Sequence, residues 1–143
     1  MRSILNGLKI DEVEIGDQAM MSKTISETDA YLFTAMTGSI NPLYLDETYA
    51  AKTEFKKRIV PELLIALMFP ATQGNFLPGD GNLHLKQHVD FLKPVYVGDT
   101  ITVVVEIVGK ILEKNRVIIK NTAYNQNNEI VVTGEAVVWP KKD

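Results

Sequence analysis

The sequence contains no cysteine. A disulfide, a thiolate nucleophile and a thiolate-bound metal are therefore excluded. Histidine is scarce, with only His84 and His88, and Trp139 is the single tryptophan. Basic charge is not in excess, since 15 Lys and Arg stand against 18 Asp and Glu, a net charge of −3. That balance argues against a nucleic-acid backbone as main partner, which calls for a basic face. The longest apolar run, residues 63–69, is far too short to cross a bilayer. Near the N-terminus, Lys9 and Asp11 arrive too early for the apolar stretch of a secretory leader. The expectation is a cytoplasmic protein that engages neither nucleic acid nor membrane.

What remains is globular in character. The 143 residues are 45% hydrophobic and 23% charged, enough for one domain with a sizeable core. Neither repeat nor linker divides the chain, so a single domain over residues 1–143 is expected.

Residues 20–25 read as a first strand. Ser26 with Asp29 three positions on is a helix-start signal, and that helix should stop at Gly38. Asp46 is placed to cap a short helix over residues 47–52. Pro61 sits at an N1-like position before residues 62–71, which are apolar on nearly every side and so predict a helix buried on most faces. Residues 75–82 are rich in turn formers. Strands are then expected over residues 83–91, 99–111 and 117–124, with Asn127-Asn128 turning into a strand over 130–139. A helical first half followed by antiparallel strands is α+β.

Residues 33–49 resemble the active-site segment of the MaoC-like (R)-specific enoyl-CoA hydratases and dehydratases. That family's pattern runs Phe-x-x-x-(Ser/Thr)-Gly-Asp-x-Asn-Pro-x-His-x-Asp-x-x-Tyr-Ala. Gly38, Asn41, Pro42, Asp46, Tyr49 and Ala50 match it. Ser39 stands where the family has Asp, and Tyr44 where it has His. A second block, Leu77-Pro78-Gly79-x-Gly81, then Gln87, Phe91, Pro94-Val95 and Gly98-Asp99, is similar to another family stretch. The resemblance implies a hot-dog fold, a long central helix wrapped by a curved antiparallel sheet. It also implies an acyl-thioester substrate carried by coenzyme A or an acyl carrier protein, no separate cofactor, and a homodimer or higher homo-oligomer.

Hydrating a 2-enoyl thioester needs a base for water, an acid for the α-carbon and donors for the enolate oxygen. Ser39 cannot act as a base, because its hydroxyl stays protonated. Tyr44, with an ordinary pKa of about 10, is a donor. Glu62, at the start of the central helix where the family has His-Gly or a close variant, is the counterweight. Its carboxylate suits a helix N-terminus and could serve as base or nucleophile toward the thioester. The expected catalytic set is Ser39, Tyr44 and Glu62, with Asn41, Leu63, Leu64, Met68 and Gly81 as substrate-binding candidates. Three readings stay open: a hydratase, dehydratase or related lyase with an altered acid/base set, a thioesterase centred on Glu62, and a non-catalytic thioester binder.

The remaining candidates carry less. His84 and His88 are expected to share one strand face, but a metal site wants three or four ligands, so no metal is expected. The basic run Lys56-Lys57-Arg58 is a candidate for coenzyme A phosphates or a solvated loop. Trp139 reads as a sheet-edge or interface anchor.

Overall fold

In a computed structural model that describes residues 7–143, five strands form one antiparallel sheet. The expectation about the leader begins in residues 1–6, outside the described residues. The strands are β1 (Gln18–Thr24), β2 (Leu83–Phe91), β3 (Thr100–Ile111), β4 (Arg116–Tyr124) and β5 (Ile130–Trp139), in spatial order β1-β3-β4-β5-β2. Each lies within two residues of its expected span at either end. Alternation explains the central strands: Ile101, Val103, Val105 and Ile107 on β3 and Val117 and Ile119 on β4 all point into the core and are fully buried. The β4–β5 turn closes on Asn128 in the left-handed region, while the Asn125 side chain accepts from the backbone of Asn127 and Glu129.

Helix α1 (Glu27–Thr37) opens on the expected capping box: Asp29 N–H donates to Ser26 Oγ at 3.1 Å, and Ser26 N–H donates to Asp29 Oδ2 at 2.9 Å. Gly38, at φ 75°, ends it. Two short helices follow, α2 (Pro42–Leu45) capped by Asn41 and α3 (Glu47–Ala51) capped by Asp46.

The central helix departs from expectation. It is two segments, α4 (Glu62–Ala66) and α5 (Met68–Asn75), joined at Leu67. Pro70 has no N–H for the Ala66 carbonyl, so the helical ladder is interrupted there. Pro61 takes the N-cap position rather than N1. The helix is also less sheathed than its composition suggests. Ile65, Ala66, Met68 and Phe69 pack into the core, but Leu63 and Leu67, one turn apart on the other side, stay 57% and 55% exposed.

The histidines are also corrected. A register shift between His84 and Lys86 inserts one extra residue into β2. His84 then faces inward, where Nδ1 lies 3.0 Å from Gln73 Oε1, whereas His88 is exposed beside Asp90. Four residues of spacing kept them on one face only if the strand were regular, and the bulge separates them. Trp139 lies at the end of β5 with Lys142 over its ring.

Candidate active site

The segment after α1 and the first turn of α4 meet through two side chains. Tyr44, on α2, donates its hydroxyl to Glu62 Oε2 at 2.5 Å. Both residues are partly buried. Asn41 caps α2 through Leu43 N–H at 3.0 Å, which sets the single helical turn that aims Tyr44 at α4. Burial, and then the hydrogen bond to and charge of Glu62, push the Tyr44 hydroxyl up to about 12, while the Asn41 side chain pulls weakly the other way. Tyr44 is therefore a fixed donor, protonated throughout the physiological range.

Ser39 is in the same loop but makes no hydrogen bond to either partner. Its N–H closes on Thr34 O at 3.1 Å, and its hydroxyl lies 3.5 Å from Asn41 N. Leu64 and Met68 line an apolar groove of about 330 Å³ between α1 and the α4–α5 pair, with Met21, Leu32, Phe33 and Met36 opposite. Leu63 lies outside that groove. Glu62 itself edges a shallow cleft of about 180 Å³ bordered by Phe55, Ile59, Phe91 and Pro94. Gly81 is not brought to the Tyr44–Glu62 pair. It sits in the turn before β2 at φ +82°, where an added Cβ would meet the Lys141 side chain at 3.1 Å.

The basic run is largely occupied. Arg58, with 12% of its side chain exposed, donates Nε to Glu47 at 2.7 Å and Nη1 to the Tyr31 hydroxyl at 2.6 Å, and also binds Glu27. These contacts hold the Glu27 carboxyl below its usual range. The Lys57 ammonium lies 4.4 Å from the Tyr96 ring centroid. Arg58 therefore ties α1 to α3 instead of presenting itself to a phosphate. The carboxylates that claim it are 31 and 11 residues away in sequence, which no local pattern signals.

Gln87, matched in the second family block, satisfies backbone inside the sheet, donating to His88 O at 2.9 Å, and it also reaches Asn121 Oδ1 at 2.9 Å. Gln73 and Asn121, both fully buried, were missed. Gln73 Nε2, Gln87 Oε1 and Asn121 Nδ2 are buried without a protein partner. An unsatisfied buried group costs about 1–3 kcal/mol.

Among the described residues no cluster of His, Asp and Glu suited to a metal is found, and no helix is long and apolar enough to cross a membrane.

Residues 14–129 match the MaoC like domain. The chain belongs to the MaoC-like family. It is 38% identical over 128 residues to the (R)-specific enoyl-CoA hydratase of Rhodospirillum rubrum, covering 90% of this chain and 88% of that protein. It is 35% identical over 131 residues to the (R)-specific enoyl-CoA hydratase of Aeromonas caviae, covering 92% and 98%. The unliganded R-hydratase PhaJ1 from Pseudomonas aeruginosa superposes with a TM-score of 0.90 at 36% identity, covering 96% of this chain and 88% of that one. The five-stranded sheet with its central helical pair is the hot-dog fold of these MaoC-like neighbours.

Proposed function

We propose that this MaoC-like chain is a hydro-lyase on acyl thioesters, adding water to a 2-enoyl thioester or removing it from the 3-hydroxyacyl product, with Glu62 as its acid/base. The observation that carries this reading is the 2.5 Å bond from Tyr44 to Glu62 Oε2. It joins the residue at the family's His position to the only carboxylate on α4.

One Glu62 oxygen is held by Tyr44, and the other, without a hydrogen-bond partner among the described residues, takes the water. In the forward direction Glu62 takes a proton from water as the oxygen bonds to the β-carbon. The electron pair of the double bond moves through the α-carbon onto the thioester oxygen. The enolate then collapses, and Glu62 returns the proton to the α-carbon, so one water is consumed and the carboxylate is restored. Tyr44 stays protonated and orients Glu62. Ser39 contributes a neutral hydroxyl able to hold water, never a base.

Leu64 and Met68 supply part of the apolar wall for the acyl chain. The reading also includes one domain over residues 1–143, a cytoplasmic location, a carrier of coenzyme A or acyl carrier protein, and a homodimer at least. The last is supported by β1 and β2, which are the two edges of the sheet, each with one side unpaired among the described residues.

Incubation with crotonyl-CoA tests the chemistry. Loss of the conjugated enoyl absorbance without thiol release is the expected result. Thiol release would make the chain a thioesterase, and loss of neither would make it a binder.

A further inference from the structure

Four polar side chains from three elements meet inside the fold. Gln73 on α5 bonds His84 on β2 at 3.0 Å, and Gln87, also on β2, bonds Asn121 on β4 at 2.9 Å. Gln87 lies three residues after His84 on β2, across the register shift between His84 and Lys86. To reach β4, the Gln87 amide passes over β5 at Gly134. A Cβ there would come within 2.9 Å of Gln87 Nε2 and would clash with the His88 carbonyl. A bare strand position thus makes room for the polar chain.

The unpartnered atoms have a definite chemistry. Gln73 Nε2 and Asn121 Nδ2 are donors in need of an acceptor, and Gln87 Oε1 is an acceptor in need of a donor. Burial drives His84 toward its neutral form. A charged group would be penalised here, whereas a hydroxyl satisfies both kinds of atom at once.

Position links this cluster to the thioester. Gln73 follows Glu62 by eleven residues, on α5, the segment that takes over from α4 at Leu67. Between them in sequence Ile65, Ala66 and Phe69 are buried and apolar. Met68, a flexible unbranched side chain, lines the α1 groove and also joins the core.

We propose that Gln73, His84, Gln87 and Asn121 form an interior pocket that recognises an uncharged hydroxyl on the distal part of the acyl chain, an inference that rests on the thioester reading above. The enzyme then selects oxygenated acyl chains over plain alkyl ones.

The test uses pairs of 2-enoyl-CoA thioesters of equal length, with and without a terminal hydroxyl, over a series of increasing lengths. Affinity is measured by calorimetry on the intact protein, which requires no turnover. At one length the hydroxylated member should bind about tenfold more tightly, the worth of a hydrogen bond or two. Gln73→Leu, and separately Asn121→Thr, should bring that ratio to about one. Equal affinities at every length would mean that the cluster holds ordered water only, overturning the pocket while leaving the thioester reading intact. Binding of no thioester would overturn both. A preference that survives both substitutions would also overturn the pocket, and if either variant misfolds the wild-type ratio decides.

Discussion

The Tyr44 hydroxyl is bound to Glu62 Oε2 across 18 positions of sequence, and it makes α2 and α4 a single functional unit. In the proposed mechanism the carboxylate does the proton transfers and the phenol fixes its direction. Glu62→Gln should therefore lower crotonyl-CoA hydration by about 10²–10⁴-fold, the range of general acid–base assistance. Tyr44→Phe should cost about tenfold or somewhat more, the worth of one hydrogen bond to a charged group. Hydration at wild-type rates in both variants would place the chemistry elsewhere.

Restoring the family's residues tests the same assignment from the other side. Ser39→Asp with Tyr44→His should raise hydration of crotonyl-CoA above that of the wild type. Adding Glu62→Gly should raise it further, because a carboxylate beside the developing enolate is then removed. A triple variant no faster than the wild type would show that Ser39 and Tyr44 do not occupy the expected positions.

Tyr44 should also titrate late. Its hydroxyl is raised from 10.0 to about 12, chiefly by burial and then by Glu62. Because the folded value exceeds the unfolded one, the associated stability is complete below pH 10 and is lost as pH rises toward 12. Ultraviolet phenolate titration of wild type against Tyr44→Phe should lose a late component near the upper end of that window. A difference spectrum centred at or below pH 10 would contradict it.

Arg58 sets a second pH effect, at the acid end. Its hydrogen bond holds the Glu27 carboxyl below the ordinary 4.5. The stabilisation is present above that value and is lost as pH falls through the lower folded one. In Arg58→Met the Glu27 carboxyl should return toward 4.5 by NMR titration, and an unchanged value would mean that Arg58 is not its main partner.

The core prediction rests on Phe69 and Gly134. Phe69 is fully buried, so Phe69→Ala should lower the unfolding free energy by about 3–5 kcal/mol in urea titration. Gly134→Ala should cost about 1–3 kcal/mol, as overpacking typically does, since its Cβ meets backbone as well as the Gln87 amide.

Local signals in the sequence were read correctly where a few neighbouring residues decide the outcome. The Ser26–Asp29 capping box, the Gly38 stop, the Asp46 cap and the alternating strands are of this kind, because hydrogen bonds within four residues or a period of two set them. Misreadings came where one residue changes a pattern. Pro70 breaks a run that looked like one helix, and the extra residue after His84 turns His88 to the other face. The candidate site was legible as residue types on two segments, but the Tyr44–Glu62 contact, the enclosure of Arg58 by Glu27 and Glu47, and the Gln73–Asn121 cluster depend on long-range packing. A polar residue in an otherwise apolar stretch, such as Gln73, was the one available hint.

The strand order has a consequence for how the chain acquires its shape. Among the described strands, β2 hydrogen-bonds only to β5, the last strand, and β1 only to β3. During synthesis β2 must wait, with both edges open, until residues 130–139 have left the ribosome, whereas β3 and β4 can pair as a local hairpin much sooner. The late closure of that distant pair makes the final strand the slow and aggregation-exposed step of folding. A nascent chain stalled before residue 130 would thus hold an unprotected strand that a chaperone must cover.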